Sequence, residues 1–66
     1  MASIGDRITF KDRGTTREGR IVGAESVADR DTRGRRPGRW FVVRCGLFDD
    51  AEIHETSVGA VLSSTR

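Results

Sequence analysis

Five arginines crowd one short segment of the chain, Arg30, Arg33, Arg35, Arg36 and Arg39 in "RDTRGRRPGR", against a single acid, Asp31. Guanidinium groups at this density suit phosphate, because each offers a planar fork of donors that matches two phosphate oxygens. Such a cluster gives sequence-independent, salt-sensitive affinity for nucleic acid. Trp40 follows at once and Phe48 lies a few residues on, so base stacking or partner docking on an aromatic ring is within reach. Arg20 and Arg44, placed on strands below, extend the basic surface. The same side chains also fit an acidic protein surface, and the plain alternative is a solvated loop that keeps a small domain apart from its neighbours. These three readings stay open at this level.

A second charged segment has the opposite sign. Asp49, Asp50, Glu52 and Glu55 occur with no base among them. They lack the alternating oxygen spacing, central glycine and terminal glutamate of a calcium loop. His54 stands among them without a second histidine or a cysteine at a ligand spacing, so no metal site and no cofactor are expected. Cys45 and His54 are the only thiol and imidazole. A nucleophilic pair needs them in hydrogen-bond contact and the thiol activated, whereas Cys45 ends an apolar run where burial would leave it inert. Ser26, Ser57 and Ser63 have no nucleophile-turn context, and no glycine run opens a helix to cradle a phosphate. No catalytic residue is assigned, and a non-enzymatic binding module is expected.

The elements that hold these residues follow a period of two. Sixty-six residues make one domain, and a chain of this length buries only about 60% of its unfolded surface, so most apolar side chains must serve the core. In "RITFK" Ile8 and Phe10 alternate with polar residues, the pattern of a strand buried on one face. "DRGTTREG" reads as a polar loop, and Arg20–Val27 as a second strand with a bulge or bend at Gly23. The longest connection, from Ala28 to Gly38, carries the arginine cluster. Trp40–Cys45 is the strongest strand, with apolar residues on both faces, so it is expected at the centre of the sheet with Trp40 to Val43 in the core. "GLFDD" is a tight connection, and "AEIHE" is a fourth strand with Ile53 inward. Thr56 or Ser57 caps a single helical turn before an edge strand at Ala60–Leu62; the alternative is a short helix over Ser57–Leu62, which Gly59 and two valines disfavour. Short strands at this spacing predict an all-β domain.

Residues 5–23, "GDRITFKDRGTTREGRIVG", resemble the opening of KOW-type and Tudor-type SH3-like barrels. The matching positions are Gly5-Asp6, the alternating Ile8 and Phe10, and Gly19 ahead of Ile21 and Val22. The resemblance implies a small five-stranded SH3-like barrel with the long basic loop between strands 2 and 3. It implies a binding role, on nucleic acid as an accessory or regulatory factor, or on a protein partner. A cage for methyl-lysine is not expected, since only four aromatics are present and Phe10 is needed inside. No apolar stretch approaches the ~18 residues of a membrane span, and "MASIGDR" lacks the apolar core of a signal peptide, so a cytoplasmic protein is expected. Size and composition also fit a phage or mobile-element product acting on a host partner.

Overall fold

The computed structural model describes residues 2–28 and 34–63. Five strands follow in chain order: β1 (Arg7–Asp12), β2 (Thr15–Val27), β3 (Gly38–Arg44), β4 (Asp50–His54) and β5 (Val58–Ser63), with one 3-10 turn, Glu55–Ser57, between the last two. They form a single antiparallel sheet in the order β4-β3-β2-β1-β5. The all-β, five-stranded expectation holds. Among the described residues no pairing joins β4 to β5, so the sheet has two edges.

The first correction concerns "DRGTTREG". Only Arg13 and Gly14 are turn; both have positive φ, 53° and 79°, as the tightest hairpin turns require. Pairing resumes at once, with Asp12 opposite Thr15 and Lys11 opposite Thr16. The polar composition suggested a loop, yet these residues face cross-strand partners rather than a core, and β-branched threonines suit that position.

β2 then runs 13 residues. Straight, it would span about 40 Å at ~3.3 Å per residue, more than the molecule's longest dimension of 33 Å. It must bend, and the register shift between Ile21 and Gly23 is where it does so. The first half pairs with β1 and the second with β3. A bulge increases local twist and redirects the strand, which accounts for the expected irregularity at Gly23. Ile8 and Phe10 of β1, Ile21, Phe41 and Val43 of β3, Ile53 of β4 and Ala2 consequently meet in one core, with Val58, Ala51 and Cys45 packed against it. A flat sheet would hold β1 and β4 about 14 Å apart at ~4.8 Å per strand. Curling brings them into one cluster.

β3 alternates more strictly than its sequence suggests. Phe41 and Val43 are buried, while Trp40 and Val42 are half-buried on the opposite face. The expectation that Trp40 to Val43 share one core is corrected accordingly: a paired strand sends successive side chains to opposite faces. Around the 3-10 turn the cap also differs. His54, rather than Thr56 or Ser57, accepts the Thr56 N–H.

Candidate functional site

Arg30 and Arg33 lie outside the described residues. Arg35, Arg36 and Arg39 are described, and the first of them folds back onto the sheet. Glu25 of β2, Trp40 of β3 and His54 of β4 are direct cross-strand neighbours, so their side chains share one face. Arg35 lies across that row. Its guanidinium carbon is 4.9 Å from the Trp40 ring centroid, and it bonds Glu25 at 3.0 Å and Glu52 at 3.3 Å. A guanidinium stacked on an indole and bracketed by two carboxylates has most of its charge answered within the molecule.

Trp40 is held from a second side. Its Nε1–H donates to the Arg36 carbonyl at 2.8 Å, and its ring meets His54 edge-on at 5.2 Å. His54 is buried although polar, and both ring nitrogens are satisfied. Nδ1 accepts from the Thr56 N–H at 3.2 Å, which assigns the proton to Nε2, and Nε2 donates to the Pro37 carbonyl at 2.9 Å. Gly38 makes this closure possible, since a Cβ there would sit 2.7 Å from His54 Nε2 and the backbone has φ 123°. The loop's end is thus strapped over a small aromatic cluster. Arg35→Ala should uncover Trp40: its emission should move to the red and quenching by acrylamide should rise, with the circular dichroism of the sheet unchanged.

The acidic residues each meet a different partner. Asp49 pairs with Arg17, which also bonds Asp12 at 2.8 Å; Asp50 pairs with Arg44; Glu52 pairs with Arg35; and Glu55 accepts the Arg39 backbone N–H at 2.6 Å. The hydrogen bond to Asp12, then that to Asp49, pushes the Arg17 pKa further up, and Asp50 does the same for Arg44. Among the described residues, register thus brings Arg17, Arg35 and Arg44 each against carboxylates of this segment.

One row of charges is only partly answered by carboxylates. Arg7, Arg20, Arg44 and Asp50 are direct partners across β1, β2, β3 and β4. Three arginines therefore stand side by side on one face, an arrangement that costs stability when like charges face each other directly. Glu18 answers Arg7 and Asp50 answers Arg44. Arg20, in the middle, has no carboxylate within ion-pair distance among the described residues; its Nη1 donates to the Gly5 carbonyl at 2.7 Å. Beside this rung runs a groove of about 530 Å³ lined by Arg20, Val22, Arg44, Cys45, Gly46 and Leu47. At its edge the β3–β4 turn, closed by the Cys45 N–H to the Asp49 carbonyl at 2.8 Å, presents Leu47 90% and Phe48 99% exposed. Two large apolar side chains thus stand side by side in open water at the turn tip.

Of the expected site residues, Arg20 and Arg44 line this groove and Phe48 stands exposed on the turn beside it, whereas Trp40, Arg35 and Arg36 gather at the strap and Arg39 lies on the other face of β3 beside Phe41. Val22 and Leu47 were not expected; the signal for Val22 is its place next to buried Ile21 at the register shift, which leaves it facing outward and 39% exposed. Cys45 is half-buried rather than fully buried, because it lies at the end of β3 where the core thins. Burial pushes its thiol pKa up, which Arg17 only partly opposes, so it is a weak nucleophile. His54 is occupied with Thr56 and Pro37, so neither ring nitrogen is directed at the thiol. Among the described residues no three His, Cys, Asp or Glu side chains converge as a metal site, and no helix is long and apolar enough to cross a membrane. Compared with protein-family models, curated proteins and solved structures, the chain matches none.

Proposed function

We propose that this protein is a non-enzymatic binding module of the SH3-like barrel type, and that its ligand is a protein segment rather than nucleic acid. The barrel reading is supported by the sheet order, by a bulged β2 shared between β1 and β3, and by the short 3-10 turn that feeds β5 back beside β1. The observation that carries the functional reading is the β3–β4 turn, where Leu47 and Phe48 are exposed beside an apolar groove.

A phosphate-gripping surface needs several guanidiniums free to exchange counterions for phosphates. Arg7, Arg17, Arg35 and Arg44 are already paired with carboxylates. Trp40, needed for base stacking, lies under Arg35. A protein partner asks for less, an apolar anchor in a groove with polar groups at its rim.

Selection of random peptides displayed on phage tests the reading. Wild type should enrich a recognisable peptide class, and the double variant Leu47→Ser, Phe48→Ser should fail to retain it while remaining folded, since neither side chain is buried. If no class is enriched, or if the double variant retains it, the turn is not the binding surface. Duplex or single-stranded oligonucleotides bound with a steep salt dependence would favour the nucleic-acid alternative instead.

A further inference from the structure

We infer that the groove beside the arginine rung takes an acidic-apolar peptide segment, whose carboxylate completes the ion pairing at Arg20 while an adjacent aliphatic side chain fills the space between Val22 and Leu47. The inference rests on the protein-binding reading and names the chemistry of the partner. Its basis is the rung. Arg7 and Arg44 each have a carboxylate and Arg20, between them, has none among the described residues. The cross-strand geometry therefore places a positive charge where its two neighbours are also positive. An incoming carboxylate would meet the Arg20 donors that the Gly5 carbonyl leaves open, with Arg44 as the cross-strand neighbour on β3.

The groove restricts the ligand further. Its floor and wall are Val22, Cys45, Gly46 and Leu47, so the residue next to the carboxylate must be apolar. The compact rung suits a side-chain carboxylate better than a nucleic-acid strand. A strand would present a phosphate at every nucleotide, whereas Arg7 and Arg44 already hold Glu18 and Asp50, so a single carboxylate at Arg20 completes the pairing of the rung among the described residues.

The test uses fluorescence anisotropy with two short blocked peptides, one carrying a leucine beside a single glutamate and a twin with glutamine in its place. Wild type should bind the glutamate peptide more tightly than its twin by about tenfold or more, the usual worth of a hydrogen-bonded charge. Raising the salt should narrow that difference. Arg20→Gln should abolish the preference, with the circular dichroism of the sheet unchanged because the side chain is exposed. Leu47→Ser should weaken both peptides together, and Arg13→Gln, a change at the β1–β2 turn, should alter neither. Equal binding of the two peptides, with Leu47→Ser still weakening both, would overturn the charge assignment and leave the protein-binding reading standing. Binding of neither peptide would overturn the inference. If short duplex or single-stranded oligonucleotides bound instead, with affinity lost in Arg20→Gln, both the inference and the reading beneath it would fall.

Discussion

Phe10→Ala should leave the protein largely unfolded at room temperature. The ring is 1% exposed and sits on the core face of β1, opposite Arg17, whose guanidinium lies over it at 6.0 Å. Truncating a fully buried phenylalanine costs about 3–5 kcal/mol, the lost transfer energy plus the cavity left behind. A domain of this size has a core that rarely supplies more than ~3–5 kcal/mol in total. Loss and reserve are therefore of the same size, and Phe10 belongs to the one core cluster that the described residues form. The expected result is a flat thermal melt followed by circular dichroism near 215 nm (the usual β-sheet band), with broadened amide resonances. A cooperative transition near the wild-type midpoint would mean that the cavity collapses or that Phe10 is not central.

Gly19→Ala should be nearly as damaging, although it adds only a methyl group. Gly19 pairs with Ile8 and lies against Val43 and Arg44 of β3, just before the bend in β2. A Cβ there would lie 2.6 Å from Val43 Cγ1 and 2.7 Å from the Arg44 carbonyl oxygen. The valine methyl can rotate away, but the carbonyl belongs to the backbone of β3 and cannot move without disturbing the ladder. Overpacking of this kind costs about 1–3 kcal/mol, and contact with backbone puts this site at the upper end. For a domain this small ~3 kcal/mol lowers the midpoint by roughly 12–24 °C. A melt shifted by only a few degrees would show that the two strands separate more readily than their packing implies.

How much of this was legible beforehand depends on the range of the interaction. The alternation of Ile8 and Phe10 is local, and it placed β1 and its buried face correctly. The run from Trp40 to Cys45 placed β3 in the interior of the sheet. It did not say which residues face the core, because apolar side chains occupy both faces, and the outer one is covered by a strap that no sequence pattern announces. "TTRE" was misread as loop since its partners are charged side chains on β1 and in the β3–β4 turn rather than a core. The charged segments misled for a related reason. Arg35 finds Glu25 and Glu52 at separations of 10 and 17 residues, so its pairing appears only when three strands are in register. The rung of Arg7, Arg20 and Arg44 is likewise a property of register, and register depends on a two-residue turn and on the bulge after Ile21. The tight connection at "GLFDD" was legible, and its tip leaves Phe48 exposed.

The location and chemistry of the ligand can be read in a single experiment, a titration of isotope-labelled protein followed by backbone amide shifts. The acidic-apolar peptide should move the amides of Val22, Arg44, Cys45, Leu47 and Phe48 and leave those of residues 34–39 in place. A short oligonucleotide at the same modest salt should move neither set. Shifts confined to residues 34–39 on addition of the oligonucleotide, with the peptide inert, would contradict the assignment and return the arginine loop to the centre of this protein's function.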